Sequence, residues 1–148
     1  MRIVVRGGER VVASIEAVAT PTFGPVSVTV PATPDAIDVL RSVAGVVAGR
    51  TPMGFDRVDD LRLAVSEAAG RLIQAGGAAG TIREEIAVED AGVRIDLTMP
   101  AAEIGRWPIG PNIDAFSWVV IDTLADTAAE SMTDDGPSIA LRFGFATP

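Results

Sequence analysis

The sequence of 148 residues contains neither cysteine nor histidine. Without cysteine there is no disulfide framework, no thiol nucleophile and no cysteine-based zinc site. Without histidine there is no Ser-His-Asp triad, no histidine general base and little means of binding a transition metal. A dinucleotide-binding fingerprint and a nucleophile elbow are also missing, which disfavours an oxidoreductase or a hydrolase. These absences favour a cytoplasmic protein with little metal or hydrolase chemistry.

Long apolar runs are lacking as well. No run approaches the ~18 residues that a membrane-spanning helix needs. The first residues do not resemble a signal peptide, because Arg6, Glu9 and Arg10 interrupt the apolar stretch. The hydrophobic content of 48% is typical of a globular chain. We therefore expect a globular protein without a membrane anchor.

Positive charge is scarce, since the formal net charge is −8. This excess of acid argues against a protein that binds the phosphate backbone of nucleic acid. Residues 84–135 carry twelve acidic side chains against Arg94 and Arg106. The second half therefore predicts an acidic face that could meet a basic partner. Ordinary solubility charge is the alternative interpretation.

Hydrophobic periodicity predicts an N-terminal strand hairpin followed by the order β-α-α-β-β-α-β-β. Thr33 is expected to cap the first helix, with Pro34 at its first position. The last helix is expected to present its apolar face to the core through these residues: Phe116, Val119, Val120 and Leu124. The fold class is an α/β (α+β) two-layer sandwich, a mixed sheet with helices on one face. Residues 1–24 form an N-terminal extension and residues 25–148 the main domain.

Two segments carry a family resemblance. DLRLAVSEAAGRLIQ, residues 60–74, is similar to the N-box helix of the GHKL ATPase fold. FSWVVIDTLADTAAESMTDDGPSIALRFGF, residues 116–145, is similar to the last helix and closing strands of that fold. Together with the element order, they resemble anti-sigma factors of the RsbW/SpoIIAB type, most closely the mycobacterial RsbW-like proteins.

The resemblance assigns roles to two residues of the N-box helix. Glu67 occupies the position of a glutamate that orients or deprotonates a nucleophile, here a vestigial general base. Arg71 occupies the position of an asparagine that binds magnesium. A guanidinium has only donors and cannot ligate a cation, so we expect Arg71 to repel magnesium and to pair with Glu67.

The other nucleotide boxes of the family are altered too. Met99 stands where an aspartate reads the adenine amino group, and Ala101 stands at a glycine position of the same box. Ala115 and Ser117 stand where the third box has glycines that approach the nucleotide. The resemblance therefore implies a retained fold with degenerate nucleotide positions, and no cofactor is expected.

The family implies partners. RsbW-like proteins sequester a stress- or sporulation-type RNA polymerase sigma factor, are opposed by a STAS-domain anti-anti-sigma factor, and typically form homodimers. The first helix contributes to the sigma-binding face, and Asp38 and Arg41 lie off its apolar stripe. They are candidate partner contacts, and a solvated helix face is the alternative.

Two tryptophans have more than one interpretation. Trp118 is expected in the core or at its edge. Trp107 lies in a loop rich in proline and glycine, where it would plug the vacated nucleotide pocket, anchor a partner or simply pack.

Two functional alternatives remain open. The chain could be an active serine kinase that uses Mg-ATP and keeps Glu67 as its base. It could also be a ligand-binding or structural module that reuses the fold.

Overall fold

The computed structural model describes residues 2–4, 12–14, 24–76, 80–100, 107–109 and 115–145. The strands are β1 Arg2–Val4, β2 Val12–Ser14, β3 Val26–Pro31, β4 Thr81–Glu89, β5 Gly92–Thr98, β6 Thr127–Thr133 and β7 Gly136–Gly144. The helices are α1 Ile37–Ala48, α2 Phe55–Gly76 and α3 Ala115–Leu124, and a 3-10 turn, Pro34–Ala36, precedes α1.

The main sheet has five strands in the order β3-β4-β5-β7-β6. Every neighbouring pair is antiparallel, so the expectation of a mixed sheet is wrong in this respect. The reason lies in the connections. Helices α1 and α2 connect β3 to β4. They bring the chain back to the end of the sheet at which β3 finished, so β4 runs in the opposite direction. A single helix, α3, joins β5 to β6, and β7 then inserts between these two strands.

The strands β1 and β2 pair with each other in an antiparallel two-stranded sheet that is separate from the main one. The predicted turn between them, residues 6–9, lies outside the described residues. The division of the chain at residue 24 stays a prediction.

One face of the main sheet carries the core. Residues that pair across the strands on this face alternate with outward ones, as in Ile86 opposite Ile95 and Ile95 opposite Leu141. Helices α1 and α2 pack against this face, as the two-layer fold class predicts. The opposite face carries ion pairs, including Arg94 with Asp96 at 3.1 Å. The fold class is therefore confirmed.

Helices α1 and α2 each bury side chains that recur at helical spacing. In α1 the buried side chains are Leu40, Ala44, Val47 and Ala48. In α2 they include Leu61, Val65, Ala68, Ala69 and Leu72. Fully burying one such leucine stabilises the fold by roughly 1.5–3 kcal/mol. Thr33 is extended and precedes Pro34, but its side chain makes no capping hydrogen bond, so the predicted cap is wrong.

The predicted apolar face of α3 is wrong at Phe116 and Val119, whereas Leu124 packs against the core as predicted. Phe116 and Val119 are 77% and 59% exposed, whereas Ser117 and Ile121 are buried. The sequence of α3, AFSWVVIDTL, is apolar on nearly every side. Periodicity therefore does not single out one face, and packing against α2 and β6 decides which side is buried.

Candidate functional site

Helix α2 carries Arg71 on the flank that faces α3. Its side chain is fully buried. A charged side chain is rarely fully buried unless a partner compensates its charge. Ala68 and Leu72 of the same helix face the core. The helical repeat therefore places Arg71 at the contact between α2 and α3.

Three side chains from other elements surround this guanidinium. Its Nε donates to the carboxylate of Glu130 on β6, and its Nη1 donates to Ser117 Oγ on α3 at 3.4 Å. Its central carbon lies 5.3 Å from the centroid of the Trp118 ring, a cation–π contact. We call Arg71, Glu130, Ser117 and Trp118 the Arg71 centre.

The Arg71 centre is an internal electrostatic tie. Glu130 lies on the inward face of β6, and its side chain is only 6% exposed. A buried guanidinium and a buried carboxylate are each costly alone, but their attraction and hydrogen bonds offset much of that cost. The pair therefore binds α2 to β6, while Ser117 and Trp118 bring in α3.

The prediction that Arg71 pairs with Glu67 is wrong. Among the described residues, Glu67 forms no ion pair, and the guanidinium turns inward to Glu130. Glu67 is half-buried on α2 one turn before Arg71. Glu67 and Arg71 are four residues apart on one helix, but the guanidinium pairs with Glu130 instead. The Glu130 carboxylate is buried, so its negative charge needs a positive partner more than the half-buried Glu67 does.

The remaining predicted nucleotide positions are scattered. Met99, just after β5, is fully buried, and its backbone N–H donates to Pro137 O at 3.0 Å. Ala115 is exposed as the first residue of α3, and Ala101 lies outside the described residues. Among the described residues at these positions, Arg71 and Ser117 are joined by a hydrogen bond.

Arg71 and Met99 do not have the chemistry that the resemblance requires for magnesium and adenine at their positions. A guanidinium offers no lone pair to a metal, and the thioether of Met99 cannot replace a carboxylate that reads adenine. Within the described ranges, no group of three or more metal-ligating side chains lies together. The described residues at the family positions thus provide neither a magnesium ligand nor an acidic adenine reader.

The candidate partner residues lie where a partner can reach them. Asp38 and Arg41 sit on the outer side of α1, with side chains 73% and 46% exposed. They pair with each other at 3.1 Å across one helical turn. Such a surface pair contributes only about 0.3–0.5 kcal/mol to stability, so folding does not require these charges.

Trp118 is half-buried and packs against the core, as predicted. Trp107 also packs against the core and donates its indole N–H to Ser131 O at 2.9 Å. This contact favours the packed-loop interpretation of Trp107. Ser131 follows Glu130, so the indole lies beside the strand that holds the Arg71 centre.

Sequence reasoning missed Glu130 and Glu84. Strand alternation could have found both, because each lies at an inward position of its strand. Glu130 follows Ala128 by two residues, and Glu84 lies between Ile82 and Ile86. Glu84 is fully buried on β4, and neither carboxylate oxygen has a hydrogen-bond partner. Burial raises the pKa of the Glu84 carboxyl to about 8.

The acidic face expected for residues 84–135 stays a prediction, and two of the acids do not contribute to it. Glu84 and Glu130 point into the protein, and Glu89 on the sheet pairs with Arg94 at 3.2 Å and Arg142 at 2.9 Å. Other acids of this segment, Asp90, Asp122 and Asp134, are exposed.

None of the helices in the described part of the chain is long and apolar enough to cross a bilayer.

Comparisons with known proteins agree with the sequence resemblance. No family model matches the chain. A serine-protein kinase RsbW from Bacillus cereus is 24% identical over 135 residues, which cover 80% of this chain and 84% of the relative. A crystal structure of the RsbU and RsbW domains of Rv1364c from Mycobacterium tuberculosis superposes with a TM-score of 0.66 at 18% identity.

That superposition covers 85% of this chain but 34% of the Mycobacterium tuberculosis chain, so it establishes the fold alone. The sequence similarity, the shared fold and the resemblance of residues 60–74 all indicate RsbW-type proteins. This chain is similar in sequence to an RsbW kinase and has the fold of an RsbW domain.

Proposed function

We propose that this chain is an anti-sigma factor that sequesters a stress- or sporulation-type RNA polymerase sigma factor without ATP-dependent kinase activity. A STAS-domain anti-anti-sigma factor competes for the same surface, and the protein acts in the cytoplasm as a homodimer. Without phosphoryl transfer, relative affinity and concentration set the exchange between the two partners.

The Arg71 centre carries the proposal. A buried guanidinium stands at the family position of the magnesium ligand, and Glu130 compensates its charge from inside the protein. A magnesium ion brought to this position would meet a fixed positive charge instead of an oxygen ligand. The described contacts between α2, α3 and β6 are made by protein side chains, which supports partner binding that does not depend on ATP.

The first experiment measures sigma-factor capture from lysate by tagged protein, with and without Mg-ATP, together with thermal shift. We expect capture in both conditions and no rise in melting temperature at millimolar Mg-ATP, because a ligand that binds the native state must stabilise it. A rise of several degrees contradicts the nucleotide-independent part. Capture of no sigma factor under either condition, with a small molecule retained through purification, supports the ligand-binding alternative.

The partner surface on α1 can be tested with charge changes that preserve the helix. Arg41→Glu should weaken sigma-factor binding more than tenfold if the guanidinium is a contact. The double variant Asp38→Arg/Arg41→Asp retains two opposite charges on this surface but exchanges their positions, so a loss of affinity reports on the charge pattern. Affinities within twofold of the original protein for both variants would remove these residues from the interface. Light scattering on the same samples measures the proposed dimer.

A second candidate function follows from the sequence relative, which is a serine-protein kinase. Glu67 is retained and half-buried on α2, where it would serve as general base. Transfer of labelled phosphate to a STAS-domain protein, abolished by Glu67→Gln, would support this function. Absence of transfer by a protein that still binds the sigma factor supports the proposed one.

A further inference from the structure

Glu84 is the one fully buried carboxyl among the described residues that has no partner. It lies on the core face of β4, directly opposite Val28 of β3 and Leu97 of β5. Helix α1 packs over β3 and β4. An ionised carboxylate in such a place would lose its hydration and gain nothing in exchange.

The elements around Glu84 bring it no compensating charge. The inward residues of β3, β5 and α1 are apolar: Val28, Val30, Ile95, Leu97, Leu40 and Ala44. The buried charge of α2 is Arg71, and this guanidinium is paired with Glu130. The charged residues Asp38 and Arg41 of α1 are exposed. The carboxyl is therefore accommodated only in its neutral form.

We propose that Glu84 is a proton-operated latch of the helix layer. The carboxyl takes up one proton from solvent when α1 closes over β3 and β4, and it releases that proton when the layer opens. Acidification then favours the closed layer and alkalisation favours the open one. Because α1 also carries Asp38 and Arg41, partner exchange would share this pH dependence, a consequence that rests on the proposed function.

The direction of the pH effect and the pH range in which it acts follow from the pKa of Glu84 in the open and the closed protein. In the open or unfolded chain the carboxyl ionises near its ordinary pKa of 4.5, and in the closed protein it keeps its proton up to about pH 8. Between these values the closed form holds one more proton than the open form. Its stability therefore falls as the pH rises, with about a tenfold change in the opening equilibrium constant per pH unit. Outside the window this contribution is flat.

The composition of the chain makes this effect measurable. The protein has no histidine, cysteine or tyrosine, and all twelve of its cations are arginine. Ordinary carboxyls titrate below about pH 5 and arginine above about pH 12. Between about pH 5.5 and 8, the terminal amine is therefore the only other protein group with an ordinary pKa near the window.

The test compares the wild-type protein with Glu84→Gln, Glu84→Leu and the matched control Glu85→Gln, which changes the exposed neighbour on the other face of β4. Urea unfolding is measured at three pH values between about 5.5 and 7.5. We expect the unfolding constant of wild type and Glu85→Gln to rise close to tenfold per pH unit, and that of both Glu84 variants to stay flat. The two replacements keep the test valid if one of them fails to fold.

Two direct readouts need no partner protein. Infrared spectroscopy at pH 7 should show the carbonyl band of a protonated carboxyl that disappears in Glu84→Gln. Hydrogen exchange of the β3 and β4 amides should speed up with pH beyond its intrinsic dependence in wild type only. Parallel pH profiles in wild type and Glu84→Gln, or no protonated carboxyl band at pH 7, would overturn the latch while leaving the proposed function untouched.

Discussion

Breaking the Arg71–Glu130 pair should be the most damaging single charge change in the described part of the protein. Arg71→Met keeps the length and apolar volume of the side chain but leaves the Glu130 carboxylate buried with its main partner removed. Loss of one partner of a buried ion pair costs about 3–5 kcal/mol. The variant also loses the hydrogen bond to Ser117 and the cation–π contact with Trp118.

Removing both charges should cost much less. Arg71→Met/Glu130→Leu removes both charges of the pair, and replacing a buried pair with apolar groups of similar volume is often neutral or stabilising. The sum of the two single losses should therefore exceed the loss in the double variant by at least about 3 kcal/mol. This coupling isolates the ion pair from the packing of the two side chains.

The assay is urea unfolding followed by far-UV circular dichroism and tryptophan fluorescence, since the guanidinium lies 5.3 Å from the Trp118 ring. At roughly 2–4 °C per kcal/mol, the single variants should melt about 10 °C lower. Arg41→Met is the control, because its exposed pair with Asp38 contributes only about 0.3–0.5 kcal/mol. A loss below about 1 kcal/mol in Arg71→Met, or additive losses in the double variant, would refute the internal tie.

Gly92→Ala should destabilise the protein by about 1–3 kcal/mol, because the added Cβ would lie 2.3 Å from a backbone oxygen of β7. Gly54→Ala, which meets no atom within 4 Å, should unfold at nearly the same urea concentration as wild type. The Gly144 N–H bond and, to a lesser extent, Arg57 hold the pKa of Asp126 below its ordinary value. Asp126 therefore stabilises the fold above its unfolded pKa and loses this contribution as the pH falls, so Asp126→Asn should flatten the acid limb of the stability profile. Equal acid limbs in the two proteins would contradict this. Finally, Arg71→Asn should not confer a thermal shift with Mg-ATP, and recovery of nucleotide binding by that change would show that the adenine position has been misassigned.

The candidate site was predictable in its positions and not in its contacts. The family resemblance pointed to Glu67 and Arg71, and residues four apart share a helix face. The acid that pairs with Arg71 is Glu130, 59 residues away in sequence. No short-range pattern distinguishes that partner from Glu67, which is why the predicted pair was wrong.

The sequence by itself determined the order of the elements in the main domain and the buried faces of α1 and α2. These depend on short-range properties, the apolar period and the turn residues, which act within a few positions of the chain. It did not determine the buried face of α3, since a helix that is apolar on nearly every side has no preferred face of its own.

Only the tertiary structure decided where the buried charges go. Strand alternation places Glu84 and Glu130 on inward faces, but their fates differ because Arg71 pairs with Glu130, while no cation among the described residues pairs with Glu84. One carboxylate becomes part of a tie between layers and the other becomes a neutral acid in the core. Electrostatic compensation acts through space, so it is fixed when the layers meet rather than along the chain.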